Sequence, residues 1–150
     1  MRVTIGEITA ATVDDFLALD VAAPQRSFIA SNAKTIAQAH YYPETAWLRG
    51  IFDHDVPVGL IAFIIEPGKD LHLWRLMVDV AHQRRGIGTA ALEEAIRQIA
   101  ATRRPAARRV RVSHVPGHGN PGPFYERLGF GYTGETLAGE VVMRRDLGGP

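Results

Sequence analysis

The residues best suited to chemistry in this chain lie in "QRRGIGTAAL", residues 83–92. Two glycines, Gly86 and Gly88, are separated by one residue and follow two arginines, Arg84 and Arg85. The first amides of a helix have no partner within the helix, and the helix dipole favours an anion there. Because glycine has no Cβ, a ligand can approach its main chain closely. The segment therefore predicts a phosphate site but does not identify the ligand.

A dinucleotide is one ligand that the same residues could hold. "GIGTAA" satisfies the G-x-G-x-x-A form of the dinucleotide fingerprint. That site needs an acid about 20 residues further on to bind a ribose, and no acid is found there, although Arg108 or Arg109 could bind a 2′-phosphate. The fingerprint should also open the sheet, whereas four predicted strands precede this loop. NADP therefore stays open as the minor alternative.

Composition limits the remaining function classes. The chain has 150 residues, 46% of them hydrophobic, and a net charge of +1, which predicts one domain over residues 1–150 and no general attraction to nucleic acid. The absence of cysteine excludes disulfides, zinc thiolates and a thiol nucleophile. No apolar run of about 18 residues predicts a membrane span. Early acids in the first residues argue against a signal peptide, so we expect a cytoplasmic protein.

Hydrophobic periodicity predicts the elements that must position the glycine loop. Their order is β-α-α-β-β-β-α-β-α-β-β, which indicates one mixed sheet with helices on its faces. Residues 71–80 are apolar at both odd and even positions, as in a strand buried on both faces. The helix after the glycine loop ends near Ala101. "FYERLGFGY", residues 124–132, predicts a short helix that Gly129 ends, followed by a strand.

Three motifs in register resemble one family. "QRRGIG" matches the Q/R-x-x-G-x-G/A signature of the GNAT N-acetyltransferases, "LMVDV" resembles that family's fourth strand, and "FYERLGF" resembles its closing "LYEKLGF" segment. The resemblance spans roughly Thr45 to Asp146. It implies acetyl-CoA as the cofactor and the α/β (α+β) GNAT fold. In that fold a mixed, mostly antiparallel sheet of six to seven strands carries about four helices on its faces.

The resemblance also implies roles for individual residues. The main-chain amides that would hold the pyrophosphate belong to Arg84, Arg85, Gly86, Ile87, Gly88 and Thr89. The main chain of Met77, Val78 and Val80 would bind the pantetheine arm, and the Val78 amide would donate to the acetyl carbonyl. Tyr125 would give a proton to the departing thiolate. The family's cofactor-contacting Asn is replaced by His118, so Asn120 is the candidate for that contact.

The implied reaction is direct attack of a neutral amine on the thioester, without a covalent enzyme intermediate. Because an amine with a pKa near 10 is mostly protonated at neutral pH, a base should remove its proton. Glu44 is the first candidate for binding the substrate or acting as this base. His72 and Asp79 come next, and since they lie on opposite parities of one strand they should not both face the substrate.

The acceptor is expected to be a small-molecule primary amine. "YPE" (42–44), Val58-Gly59 and "WRLMVD" (74–79) resemble segments of the polyamine-acetylating branch. A cationic polyamine needs carboxylates and aromatic faces, which could be supplied by Glu44, Tyr41, Tyr42, Trp47 and Trp74. The loop "SHVPGHGNPGP" departs from that pattern, so antibiotics, amino acids and protein N-termini stay open. A homodimer is possible because relatives often form one.

The remaining charged groups indicate no other function, and one class of protein without turnover stays open. Five arginines between Arg103 and Arg111 lack interleaved aromatics, so they indicate a solvated helix end rather than a nucleic-acid patch, and one could contact a cofactor phosphate. His114 and His118 have no third ligand nearby and predict no metal site. A domain that binds acyl-CoA as a sensor without turnover is the alternative, although a sensor would not need an acid such as Tyr125.

Overall fold

The computed structural model of the chain describes residues 1–103 and 105–147. Its strands are β1 (Val3–Gly6), β2 (Ala46–Asp53), β3 (Val56–Ile64), β4 (Leu71–Val78), β5 (Arg109–His114), β6 (Gly131–Leu137) and β7 (Glu140–Asp146). Its helices are α1 (Val13–Ala18), α2 (Asn32–His40), α3 (Ile87–Thr102) and α4 (Gly122–Arg127), with short 3-10 turns at Ala23–Gln25 and Val80–His82. This order of strands and α-helices confirms the order predicted from periodicity.

The seven strands form one sheet in the order β1-β2-β3-β4-β5-β7-β6. Every neighbouring pair is antiparallel except β4 and β5, which are parallel. The fold class is therefore the predicted one, a mixed and mostly antiparallel sheet accompanied by four α-helices. Among the described residues, no helix combines the length and the apolar composition that crossing a membrane would require.

Helices cover the two faces of the sheet differently. On one face, α3 packs its buried residues Ile87, Ala91, Leu92, Ala95 and Ile99 into the main hydrophobic core. On the other face, a smaller cluster under α1 and α2 contains Val21, Leu60 and Met77. Strand β4 contributes to both clusters, which confirms that it is buried on both faces. We refer below to the α3 face and the α2 face.

A bulge in β4 changes which of its side chains share a face. Ala62 of β3 pairs with Arg75, but the next residue, Phe63, pairs with Leu73, so Trp74 is the extra residue. Leu73 and Leu76 both lie in the α3-face core, which places His72 and Arg75 together on the α2 face. His72 and Asp79 were predicted to lie on opposite faces of the strand. This prediction is wrong, because the bulge at Trp74 interrupts the alternation.

Strands β4 and β5 separate soon after they begin to pair. Only Leu71 with Val110 and His72 with Arg111 are in register. From Leu73 to Val78, the edge of β4 that faces β5 has no partner strand within the described chain. We call this opening, between 73–78 of β4 and 112–114 of β5, the β4–β5 gap.

Candidate functional site

Main-chain groups of two residues of β4 are directed into the β4–β5 gap. The Asp79 N–H donates to the Val58 carbonyl oxygen at 2.8 Å, so the antiparallel alternation turns Val78 and Leu76 away from β3. The Val78 carbonyl oxygen accepts a hydrogen bond from Gln83 Nε2 at 2.9 Å. The N–H groups of Val78 and Leu76 face the gap, where an extended ligand could pair with them.

The main-chain groups of Met77 and Val80 are not directed into the gap, which corrects two of the implied cofactor contacts. Met77 is in register with Leu60, and its main chain is directed at β3, so it offers no group to the gap. The Val80 N–H donates to the Asp20 carbonyl oxygen at 2.8 Å, because Val80 already lies in the turn after β4. Leu76 was missed by the sequence analysis, although strict alternation back from Val78 could have found it.

The glycine loop forms the N-terminus of α3 next to this gap. Arg84 has φ +63 and Gly86 has φ +80, left-handed conformations that turn the chain sharply into the helix. No side chain caps α3, so the N–H groups of Ile87, Gly88 and Thr89 have no intrahelical acceptor. This geometry suits an anion such as a pyrophosphate.

Gly88 has a different purpose from the one expected. A Cβ at Gly88 would lie 3.0 Å from Cζ of Phe124, whereas a Cβ at Gly86 would meet nothing within 4 Å. The missing side chain of Gly88 therefore makes room for Phe124 of α4. Packing of Phe124 on Gly88 brings the neighbouring Tyr125 toward the gap.

The two arginines of the loop differ in their partners. Arg85 Nη2 lies 3.5 Å from Asp53 Oδ2 at the end of β2. The pKa of Asp53 is below its usual value, chiefly because the Arg2 N–H donates to it and also because His54 is close. Arg84 is exposed and has no ion-pair partner in the described part of the chain. Arg84 is therefore the cation of the loop that is freer to meet a phosphate.

The arginine cluster lies at the other end of α3. Arg103 ends α3, and Arg109 Nε lies 3.6 Å from Asp70 Oδ1 at the start of β4; Arg104 lies outside the described residues. A helix of 16 residues is about 24 Å long. This distance from the glycine loop argues against the suggested phosphate contact at Arg103 and Arg109.

Tyr125 lies in α4, partly buried beside Phe124, Phe130 and His114, with ring centroids 5.6, 6.0 and 6.3 Å away. Burial raises the pKa of Tyr125 to about 12, against a smaller lowering by the charge of Arg75. Its hydroxyl has no hydrogen-bond partner among the described residues. At neutral pH the phenol is protonated, as a proton donor requires.

The buried His114 and the half-exposed Tyr132 support the start of α4. The His114 Nδ1–H donates to the Val115 carbonyl oxygen at 2.9 Å, which leaves Nε2 to accept from the Tyr132 hydroxyl at 2.9 Å. A Cβ at Gly122 would lie only 2.1 Å from that hydroxyl oxygen. The sequence pattern indicated no metal site at His114, and the place of this histidine in a predicted strand was the signal for a structural role.

The side chain of Asn120 is used inside its own loop. Its Oδ1 accepts from the Gly122 N–H at 2.8 Å, and its Nδ2 donates to the Gly117 carbonyl oxygen at 2.7 Å. These bonds shape the turn before α4. The cofactor contact of Asn120 stays a prediction, for which only the second amide hydrogen is free of these two bonds.

Glu44 lies far from the gap. It is exposed in the turn before β2, and β3 separates β2 from β4. Arg103, at the C-terminal end of α3, donates to the Glu44 carbonyl oxygen at 3.5 Å, so Glu44 and the glycine loop are at opposite ends of that helix. This position gives no support to the predicted role of Glu44 in substrate binding or catalysis. Trp47 is also removed from the proposed aromatic set, since it is 2% exposed in the core.

Of the other two base candidates, Asp79 already accepts main-chain hydrogen bonds at both carboxylate oxygens. Its Oδ1 accepts from the Asp20 N–H at 3.0 Å, and its Oδ2 accepts from the Ala81 N–H at 3.3 Å. The pKa of His72 is lowered to about 4 by burial and by the charges of Arg111 and Arg75. His72 is therefore a neutral imidazole at pH 7 and a weak base.

Arg75 spans the α2 face beside His72. It donates to the Trp74 carbonyl oxygen at 3.0 Å and to Oε1 of Gln38 in α2 at 3.3 Å. Its guanidinium carbon lies 4.5 Å from the centroid of the Trp74 ring, and its buried Nε has no partner among the described residues. Burial lowers the pKa of Arg75.

Comparisons with known proteins identify a family and support the fold. The model of the family described as "Acetyltransferase (GNAT) family" matches residues 12–130. No curated protein sequence matches this chain. The sequence identities to the following structures are low, so these structures support the fold alone.

Three solved structures illustrate the likeness. A PaiA N-acetyltransferase from Thermoplasma acidophilum, in complex with coenzyme A, is 16% identical, with 97% of this chain and 99% of that one covered and a TM-score of 0.69. The ribosomal-protein-S18-alanine N-acetyltransferase from Escherichia coli is 16% identical, with 99% and 96% covered and a TM-score of 0.70. A putative streptothricin acetyltransferase from Bacillus anthracis, in complex with acetyl coenzyme A, is 14% identical, with 99% and 100% covered and a TM-score of 0.73.

Proposed function

The chain belongs to the acetyltransferase (GNAT) family, and we propose that it transfers the acetyl group to a primary amine of a small molecule. Its cofactor is acetyl-CoA and it is an N-acetyltransferase, as members of this family are. The observation that carries the proposal is the β4–β5 gap, an unpaired strand edge that leads to an uncapped helix N-terminus. An extended pantetheine arm fits the edge, and a pyrophosphate fits the helix.

The residues present suggest how each part of the reaction is supported. Acetyl-CoA supplies an acetyl group on a thioester. The main-chain N–H groups of the loop from Arg84 to Thr89 would hold the phosphates, and the N–H of Val78 would stabilise negative charge on the acetyl oxygen. The Tyr125 hydroxyl would be the proton donor for the thiolate that leaves. Leu76 adds a second N–H along the same edge.

The acceptor class is the finer part of the proposal. A polyamine remains the acceptor that the segments around Tyr42 and Trp74 favour. Two of the residues expected to bind it give no support, because Glu44 lies far from the gap and Trp47 is buried in the core. A single domain, a cytoplasmic location and a homodimer are proposed from the same resemblance and composition. Light scattering of the purified chain at several concentrations would test the homodimer.

The test of the function is thiol release from acetyl-CoA with spermine, spermidine, lysine, aminoglycosides and short peptides, against a control without amine. Tyr125→Phe should reduce the rate by about tenfold or more, because the departing thiolate loses its acid. Calorimetric binding of acetyl-CoA should be unchanged in this variant. Binding without release for any amine would favour the sensor, and absence of binding would contradict the cofactor and lead to a titration with NADP.

A further inference from the structure

A partly buried carboxylate lies on the β5 side of the β4–β5 gap, opposite β4. Glu140 begins β7 directly after the two-residue turn of Ala138 and Gly139. The Ser113 hydroxyl donates to Glu140 Oε1 at 3.1 Å. Val112 belongs to the α3-face core, so its neighbour Ser113 is directed at the α2 face. The Glu140 carboxylate is therefore held on the α2 face at the edge of the gap.

The opposite side of the gap presents Arg75 on the same face. Counted from the paired residues His72 and Arg111, and allowing for the bulge, Arg75 is level with Ser113. Tyr125 packs with the core on the α3 face. The gap thus has the proposed acid on one face of the sheet and Glu140 on the other.

The Glu140 carboxylate has no partner of opposite charge within 4.0 Å in the part of the chain described. Its charge nevertheless acts across the gap, because it adds to the rise in the pKa of Tyr125 and offsets part of the lowering of the Arg75 pKa by burial. Two other candidate carboxylates are accounted for, since Asp79 is occupied by main-chain hydrogen bonds and Glu44 is remote. A cation placed in the gap on the α2 face would meet Glu140.

We propose that Glu140 binds the ammonium group of the acceptor at the α2-face opening of the gap, and that Ser113 positions its carboxylate. This inference rests on the proposed function, which requires a primary amine to reach the acetyl group. Such an amine arrives charged, and charge-assisted hydrogen bonds to a carboxylate are strong. The acceptor then enters from the face opposite Tyr125, so its binding does not obstruct proton donation to sulfur.

The kinetic test removes the charge of the Glu140 side chain and keeps its shape. Glu140→Gln can still accept the Ser113 hydrogen bond, and it should raise the KM of the fastest amine of the panel by about tenfold. The KM of acetyl-CoA should not change. Glu126→Gln is the matched control, because Glu126 is exposed on α4 and the same charge is removed without facing the gap. Ser113→Ala should raise the amine KM less, by about threefold, with kcat and the melting temperature preserved.

A binding test does not depend on turnover. The side-chain carboxyl carbon of Glu140, assigned by its loss in Glu140→Gln, is followed by NMR while spermidine is added to the CoA-loaded protein. The Glu140 signal should move with spermidine, and the Glu126 signal should not. An unmoved Glu140 signal together with an unchanged KM in Glu140→Gln would overturn the inference while the function stands. A moving signal in a protein that acetylates no amine would support the ammonium site and contradict the function.

Discussion

The two edges of strand β4 belong to the same residues, but only one of them is paired along its whole length. Toward β3, six residue pairs are in register along the whole strand. Toward β5, only two pairs form before the strands separate. The first edge stabilises the sheet, and the second leaves main-chain donors free for a ligand. The proposed binding site is therefore the place where the ladder of the sheet is interrupted.

Different residues maintain each edge. On the paired edge, β3 approaches so closely that a Cβ at Gly59 would lie 2.4 Å from the Met77 carbonyl oxygen. On the open edge, Gln83 donates to the Val78 carbonyl oxygen and to Gln25 Oε1, each at 2.9 Å. A side chain thus partly replaces the missing strand, so the open edge is not left wholly unsatisfied.

The strongest test removes one N–H from each edge. Val78→Pro deletes a donor that faces the gap, and it should reduce kcat by about 10²–10³-fold, the usual cost of losing an oxyanion donor. Its melting temperature should fall only moderately: the buried Val78 side chain loses core packing, but proline is tolerated where a strand N–H has no ladder partner. Thiol release and thermal melting measure the two effects.

Met77→Pro is the comparison variant, because its N–H is directed at β3. It should lose most of its folded population, since proline then removes a ladder hydrogen bond in the middle of the sheet. Equal loss of stability in both variants would contradict the assignment of the two edges.

The second test crowds the paired edge. Gly59→Ala places a methyl group against the Met77 carbonyl oxygen, and we expect the free energy of unfolding to fall by about 2–3 kcal/mol. Urea denaturation gives this value. Gly131→Ala in β6 is the control, because a Cβ there meets nothing within 4 Å, and its midpoint should hardly change. A Gly59→Ala protein as stable as the control would show that β3 and β4 are less closely apposed.

The smallest effect concerns pH at the last paired residue before the gap. The folded-state pKa of His72 is lowered from 6.5 to about 4, so the unfolded chain binds the proton more readily. The stability that neutral His72 contributes to the folded state is fully present above pH 6.5 and is lost as the pH falls toward 4. Urea midpoints between pH 7 and 4 should therefore fall less steeply in His72→Asn than in the wild type. Parallel slopes would contradict burial of a neutral His72.

Much of the fold and part of the site could be predicted from local patterns. Helical spacing and alternation identified each element, and the glycine loop was placed correctly at the start of α3. The bulge at Trp74 could not be predicted, because an extra residue in one strand is defined only against its partner strand. The position of Glu44 could not be predicted for a related reason, since nothing in one sequence shows how far the start of β2 lies from the gap.

The sequence by itself determined the order of the elements, the double burial of β4 and the position of an anion-binding helix start, because each depends on residues near one another in the chain. The tertiary structure alone decided where β4 and β5 separate and which side chains meet there. Arg75, Ser113, Tyr125 and Glu140 come from four different elements. Their proximity follows from pairing of β5 with β7 and packing of α4 on Gly88, which are contacts between distant parts of the chain.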